Sequence, residues 1–297
     1  MSNYENERRA AIAIATEAAL EVHRIYNAQA AKTYTKKDES PVTDADLAAD
    51  RIIRERLAEL FPHDAVLTEE AADSEARLQS SRCWVVDPID GTQQFINRTG
   101  QFDVLIALVV DGRPVVGVSA QPTTGLIASA TAGGGAWLSR IGVEGEQPLV
   151  FAQPDSTPRI VTAIWFDPDA AQDRLRAVSA AMGIAEIAIL PTGALVRDYL
   201  DPAANGLIPD SGEAPNSIPA HAMVGLWVRE DRTLASEWDY AAPDLIVNEA
   251  GGRFTDWHGN EFRYNKPVPR NIGGLVIATN PDLHRQIVVA LDGIVPN

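Results

Sequence analysis

The sequence predicts a mixed α+β / α/β fold in two parts: a pair of helices with a largely antiparallel sheet, then a smaller half in which helices and strands alternate. Three observations predict it. Two amphipathic helical segments precede residue 61, short apolar β-type segments recur between residues 65 and 130, and the two patterns interchange after residue 158.

From Glu7 to Tyr26 the apolar positions Ala11, Ile14, Ala15, Ala18, Val22 and Ile25 fall at three- and four-residue steps, the spacing of a helix with one buried face. The polar stretch Thr33 to Pro41 separates it from a second periodic segment carrying Leu47, Ile52, Ile53, Leu57 and Leu60. Thr43-Asp44-Ala45-Asp46 opens that helix, with Thr43 as its N-cap. After Phe61-Pro62 the pattern turns to β: Ala65 to Thr68, Cys83 to Asp87, Val104 to Val110, Val115 to Ala120 and Leu126 to Ala130, with Asp111-Gly112 as a turn signal. Gly133-Gly134-Gly135 lacks a following Gly-Lys-Ser/Thr and reads as a turn between strands. The stretch Glu144 to Pro158 is the expected boundary, giving an N-terminal half over residues 1-150 and a C-terminal half over 151-297.

Beyond the boundary the sequence predicts a strand near Ile160 to Ile164, a helix from Asp169 to Met182, a strand near Ile187 to Leu190 and a helix from Trp238 to Ala250, closed by Gly251-Gly252. Strands near Arg253 to Thr255 and Leu275 to Thr279 precede a last helix from Pro281. Asp201 to Ala220, rich in Pro, Gly, Asn and Ser, reads as a long loop, and loops of that length inside compact domains are usually functional or mobile.

The 297 residues include 41 acidic and 25 basic side chains, a formal net charge of −16. That excess disfavours polymeric nucleic acid and anionic membranes as partners, while a small phosphate held through a cation remains allowed. At 45% hydrophobic and 22% charged residues the composition is that of a globular chain. Cys83 is the only cysteine, which excludes an intrachain disulfide or a multi-thiolate zinc site and fits a reducing cytoplasm. Between Arg82 and Trp84 it reads as a packed small residue rather than a nucleophile. The five histidines, His63, His221 and His258 among them, show no metal spacing and mostly read as surface residues. No run approaches the roughly 20 apolar residues of a membrane span, and Met1 to Arg9 is polar with mixed charge, so the expectation is a soluble, unexported, cytoplasmic protein.

The chemistry concentrates in Trp84-Val85-Val86-Asp87-Pro88-Ile89-Asp90-Gly91-Thr92, an apolar strand running into two carboxylates three positions apart. A strand-end turn there can point Asp87, Asp90 and the Ile89 carbonyl to one side, oxygen ligands of the kind Mg²⁺ takes. Gly91 and Thr92 add amides and a hydroxyl, and a helix from Gln93 onward would aim those amides at a phosphate. On local composition alone the same residues also describe a capped turn. Glu69, at the end of an apolar strand, and Asp239, opening a helix, read singly as a solvated strand end and an N-cap. Together with Asp87 and Asp90 they deliver carboxylates from separate elements, which a site for two cations about 4 Å apart requires. Asp46 reads as part of a capping box with Thr43 and, compatibly, as a base for water.

These segments resemble the lithium-sensitive, magnesium-dependent phosphatases of the inositol monophosphatase superfamily. The blocks are Ser40-Pro41-Val42-Thr43-Asp44-Ala45-Asp46, Glu69-Glu70, Asp87 to Thr92, and Trp238-Asp239-Tyr240-Ala241-Ala242 ahead of Glu249-Ala250-Gly251-Gly252, in that order over most of the chain. The resemblance implies a layered α/β/α/β/α sandwich, a homodimer, and two or three Mg²⁺ ions held by Glu69, Asp87, Asp90, Asp239 and the Ile89 carbonyl. It implies catalytic roles for Glu69, Asp46 and Thr92, the last two orienting water. Substrate would meet Asp90, Gly91, Thr92, Gly193, Ala194 and Asp239, with the Gly91 and Thr92 amides on the phosphate.

Within the superfamily Lys37 to Thr43, Phe95 to Phe102, Ser236 to Asp239 and Asp256 to Asn260 look most like the bacterial 3'(2'),5'-bisphosphate nucleotidase branch. The implied alternatives are an inositol-1-monophosphatase, a phosphatase of another sugar or polyol phosphate such as histidinol phosphate, and a phosphate-binding protein without turnover. Two departures stand out. Thr68 occupies the position where the family commonly has glycine before Glu-Glu. Thr192-Gly193-Ala194-Leu195 is similar to the family's Gly-Ser-(Ala/Ser) substrate loop but runs into Val196-Arg197-Asp198-Tyr199, and Trp227-Val228-Arg229 stands at a shifted distance from Asp239.

Overall fold

The computed structural model describes residues 4–29, 31–36, 40–151, 160–163, 168–184, 188–190, 222–225 and 235–295. The chain runs through α1 (Glu5–Ala28), β1 (Thr33–Thr35), β2 (Pro41–Thr43), α2 (Asp44–Leu60), β3 (Ala65–Thr68), a 3₁₀ turn (Glu75–Gln79), β4 (Arg82–Asp90), α3 (Thr92–Ile96), β5 (Asp103–Val110), β6 (Arg113–Ala120), β7 (Leu126–Thr131), β8 (Gly135–Arg140) and β9 (Val143–Leu149). It continues through β10 (Ile160–Ala163), α4 (Pro168–Met182), β11 (Ala188–Leu190), β12 (Ala222–Gly225), β13 (Ala235–Ser236), α5 (Glu237–Glu249), β14 (Arg253–Thr255), β15 (Arg270–Asn271), β16 (Leu275–Ala278) and α6 (Pro281–Leu291).

Two compact units form. One comprises Met1–Leu149, Ala235–Ala250 and Arg263–Arg270, the other Val150–Leu234, Gly251–Phe262 and Asn271–Asn297. Ala235–Ala250 and Arg263–Arg270, from beyond residue 150, belong to the first unit. The reason is packing: α5 buries Tyr240, Ala241, Ala242, Leu245 and Ile246, and it rests on β4 to β8 of the first unit.

The first unit holds a seven-stranded sheet in the order β3-β4-β5-β6-β7-β8-β9. Only the β3/β4 pair is parallel, as the sequence led one to expect of a largely antiparallel sheet. Strand side chains alternate between faces. Trp84, Val86, Val104, Ile106, Leu108, Val116 and Val118 share one core with Ala11, Ile14, Ala18 and Val22 of α1 and Ile53 and Leu57 of α2. On the opposite face α5 approaches so closely that a Cβ on Gly117 would lie 2.8 Å from the Ala242 carbonyl oxygen. With both faces covered, β4 to β6 read as near-continuous apolar runs.

Several elements carry no periodic signal. The β1/β2 hairpin falls in the polar stretch before Thr43, and β1 is exposed throughout. Edge strand β9 buries only Leu149, so Glu144 to Leu149, expected within a boundary segment, is strand. The Asp111-Gly112 turn forms as expected, with φ of 50° and 79°, and joins β5 to β6. The triple glycine turns between β7 and β8, where the Glu249 carboxylate accepts from the Gly133 and Gly135 amides at 2.7 and 2.9 Å.

The second unit holds a five-stranded sheet, β11-β10-β12-β16-β14, in which β10 is parallel to β11 and β12 while β12/β16 and β14/β16 are antiparallel. Its core joins Leu175 and Val178 of α4, Val224, Val276 and Ala278 of the sheet, and Leu283, Ile287 and Leu291 of α6. His284 is a buried exception to the surface expectation for histidines; its Nε2 lies 2.7 Å from Thr255 Oγ1. No described helix is long and apolar enough to cross a membrane. The predicted loop Asp201 to Ala220 and Trp227-Val228-Arg229 lie outside the described residues.

Candidate active site

The site is built in the first unit, at the end of β4. The sequence suggested a turn at Asp87-Pro88-Ile89-Asp90, but β4 continues through Asp90. Its pairing with β5 slips there: Asp87 faces Leu105 and Asp90 faces Asp103, so one extra residue bulges from β4. The bulge matters for direction. Residues three apart on a regular strand point to opposite faces, and the inserted residue returns Asp90 to the side of Asp87. Pro88 has no amide to lose from the ladder, and the Ile89 amide is taken by Asp87 Oδ1 at 2.9 Å.

Asp239 enters from the first turn of α5, where its Oδ2 accepts from the Ser236 amide at 2.7 Å. One carboxylate oxygen from each of Asp87, Asp90 and Asp239 lies within 4.8 Å of the others, the one such group of three among the described residues. Three anionic oxygens gathered this tightly oppose one another's ionisation. Burial, then the charges of Glu69, Asp90, Asp239 and Asp46, hold Asp87 well above the ordinary carboxylate range. Burial and Glu69 push Asp239 up to about 7. An all-oxygen donor set whose members resist ionisation without a counter-charge fits a hard divalent cation.

Glu69 and Glu70 follow β3, and the Glu69 amide donates to the Val86 carbonyl on β4 at 3.3 Å. Both side chains are capped by Lys36, whose Nζ lies 2.6 Å from Glu69 Oε1 and 2.6 Å from Glu70 Oε1. Burial alone would lower the Lys36 pKa, but the two carboxylates outweigh it and raise it. Burial pushes Glu70 up to about 7 against the pull of Lys36. Glu69 is thus beside the acidic group and engaged by an ammonium. Thr68, the residue in place of the family's glycine, donates its hydroxyl to Asp50 Oδ1 at 2.7 Å and ties the end of β3 to α2.

Asp46 sits buried in the first turn of α2. Its Oδ2 accepts from the Thr43 amide at 2.8 Å and from the Thr43 hydroxyl at 2.5 Å, completing the predicted capping box. Its Oδ1 accepts from the Thr92 hydroxyl at 2.9 Å. Burial raises the Asp46 pKa against these hydrogen bonds. Thr92 opens the five-residue α3 and also lies 3.3 Å from the Ile89 carbonyl oxygen. Gly91 before it has φ of 99°, and a Cβ there would meet the Gln101 carbonyl at 2.9 Å.

The structure therefore brings together Asp46, Asp87, Ile89, Asp90, Gly91, Thr92 and Asp239, with Glu69 alongside. Gly193 and Ala194 lie outside the described residues. Lys36 was not singled out by the sequence reading; its only local signal is a lysine pair before an acidic stretch. Cys83 is buried, and burial pushes its thiol up to about 12, as a packed residue requires.

A family model described as the Inositol monophosphatase family matches residues 3–188 and 220–294. A 3'(2'),5'-bisphosphate nucleotidase CysQ from Aggregatibacter actinomycetemcomitans is 32% identical over 78% of this chain and 77% of its own. A histidinol-phosphatase from Mycobacterium tuberculosis is 33% identical over 87% of each chain. Among solved structures, CysQ from Bacteroides thetaiotaomicron, a bacterial member of the inositol monophosphatase family, superposes with a TM-score of 0.73 at 25% identity, covering 94% of this chain and 99% of that one.

Proposed function

This chain belongs to the inositol monophosphatase family and is a phosphatase of small phosphate monoesters, and from that premise we propose a Mg²⁺-dependent 3'(2'),5'-bisphosphate nucleotidase. The observation that carries the chemistry is the convergence of Asp87, Asp90 and Asp239 beside the Asp46–Thr92 hydrogen bond.

In this reading Glu69, Asp87, Asp90, Asp239 and the Ile89 carbonyl hold two or three Mg²⁺ ions. Bound there, the ions supply Lewis acidity, neutralising charge on the phosphoryl oxygens and making water more acidic. The chain's own groups move the proton. Thr92 Oγ1 accepts it from the attacking water while passing its own hydrogen to Asp46 Oδ1, along the 2.9 Å bond already formed. The raised affinity of Asp46 for a proton suits it to that role. The Gly91 and Thr92 amides orient the phosphate, and no covalent intermediate on the enzyme is needed.

The nucleotide substrate is supported by the CysQ relatives and by the stretch Phe95 to Phe102. A second reading, histidinol phosphate, is favoured by the histidinol-phosphatase that matches a larger share of the chain. A homodimer and a cytoplasmic location complete the proposal, the latter in keeping with the single buried thiol. The deciding experiment measures phosphate release with Mg²⁺ from adenosine 3',5'-bisphosphate, histidinol phosphate and inositol 1-phosphate side by side. A preference for the bisphosphate is expected; a preference for histidinol phosphate would keep the metal chemistry and replace the substrate.

A further inference from the structure

Glu237, the first residue of α5, is fully buried and stands apart from the acidic group. A buried carboxylate is tolerated only when donors fill its oxygens. Here all of the named donors come from two consecutive residues. The Asn265 amide donates to Oε2 at 2.6 Å, the Lys266 amide to Oε1 at 3.1 Å, and Lys266 Nζ to Oε1 at 2.7 Å. Asn265 has φ of 58°, a left-handed turn of the kind that aims successive amides at one anion.

The same asparagine is gripped from its other side by Arg77 on the 3₁₀ turn. Arg77 Nη1 donates to Asn265 Oδ1 at 2.7 Å and Nη2 to the Lys266 carbonyl at 2.9 Å, while its guanidinium holds Asp73 through two bonds of 2.7 and 2.8 Å. The Glu237 amide donates to the Pro269 carbonyl at 3.1 Å, and Arg270 Nη1 to Ser236 Oγ at 3.2 Å. Residues 263–270 thus form a strap from the segment after Glu69–Glu70 to the first turn of α5.

We propose that Glu237 is a positioning residue for Asp239, anchoring the first turn of α5 on this strap so that Asp239 presents its other carboxylate oxygen to Asp87 and Asp90. The inference rests on the reading of Asp239 as a metal ligand. Asp239 spends Oδ2 on the Ser236 amide, so the direction of its other oxygen follows the orientation of that turn. Groups that orient metal ligands typically change metal affinity by 10–100-fold when removed.

The test titrates Mn²⁺ alone into Glu237→Gln, Asn265→Gly and Asp239→Asn proteins, followed by electron paramagnetic resonance, and then measures the Mg²⁺ dependence of phosphate release. Asn265→Gly keeps both backbone amides and tolerates the left-handed φ, so it removes the side-chain bonds between Asn265 and Arg77 and leaves Arg77 Nη2 on the Lys266 carbonyl. It decides alone if Glu237→Gln does not fold. The expected result is Mn²⁺ binding weakened by about 10–100-fold in Glu237→Gln and Asn265→Gly, with a matching rise in the Mg²⁺ needed for half-maximal rate. Mn²⁺ affinity within twofold of the unaltered protein, with only a lower melting temperature, would overturn the proposal and leave Glu237 a stabilising residue. Unchanged Mn²⁺ binding in Asp239→Asn removes the metal reading itself, and the proposal with it.

Discussion

The Thr92 hydroxyl donates to Asp46 Oδ1 at 2.9 Å, joining the start of α3 to the first turn of α2 across 46 positions of sequence. The other Asp46 oxygen is occupied by the Thr43 cap. One carboxylate therefore closes a helix end with one oxygen and reaches the Asp87–Thr92 segment with the other, so the helix cap also sets the geometry of the pair.

If this pair passes a proton, Thr92→Ala and Asp46→Asn should each lower kcat by about 10²–10⁴-fold. Mn²⁺ binding should stay near that of the unaltered protein, because neither group is assigned to the metal. Asp46→Asn retains an acceptor for the Thr43 amide, so its melting temperature should fall little. Retention of more than a tenth of the rate by both variants would remove the relay.

The acidic group also predicts a stability response. Asp87, Asp90 and Asp239 repel one another in the metal-free protein, so Mg²⁺ should raise the melting temperature and a chelator should reverse the rise. At 100 times the dissociation constant the stabilisation is about 2.7 kcal/mol. Asp239→Asn should melt no lower than the unaltered protein without metal and should lose the Mg²⁺-dependent increment. Differential scanning calorimetry with and without the chelator reads both effects.

Two glycines with left-handed backbone separate strain from crowding. Gly133 has φ of 69° with nothing within 4 Å of an added Cβ, whereas a Cβ on Gly91 would lie 2.9 Å from the Gln101 carbonyl. Gly133→Ala should cost about 1 kcal/mol, the penalty of the conformation alone. Gly91→Ala should cost more and also lower kcat, because relief of the contact displaces Thr92. Equal denaturation midpoints and equal rates for the two would contradict this account.

His284 sets a pH dependence for the second unit. Burial, then the nearby Arg253 charge, depress its pKa to about 4, whereas in the unfolded chain it protonates near 6.5. Between those values the unfolded chain binds more protons, so stability falls as pH drops from about 6.5 to about 4 and is insensitive to this group above that window. His284→Gln should flatten the slope in urea denaturation followed at pH 7, 6 and 5. An unaltered slope would show that other groups produce it.

Local patterns made much of this architecture legible. Helices α1 and α2 were readable because Ala11, Ile14, Ala18 and Val22, and then Ile53 and Leu57, repeat at the helical period. The capping box at Thr43 and Asp46 was readable because both partners lie within one turn. The carboxylates of the site were readable as residue types at the ends of elements. The β1/β2 hairpin and β9 were not, since exposed strands carry no apolar alternation. Lys36 and Glu237 were not, since nothing near them in sequence marks their partners: Lys36 meets Glu69 and Glu70, 33 and 34 residues away, and Glu237 meets a segment 28 residues away.

The sequence by itself determined the periodic helices and the apolar strands, which faces they bury and which residue types could bind a cation, because these follow from period, capping and composition within a few residues. Tertiary structure alone decided that Asp87 and Asp90 share a side. Their spacing of three predicts opposite faces on a regular strand, and only the slipped pairing of β4 on β5 supplies the extra residue that turns them together. It likewise decided that Asp239 joins them, since the position of α5 is set by the close approach of Ala242 to Gly117.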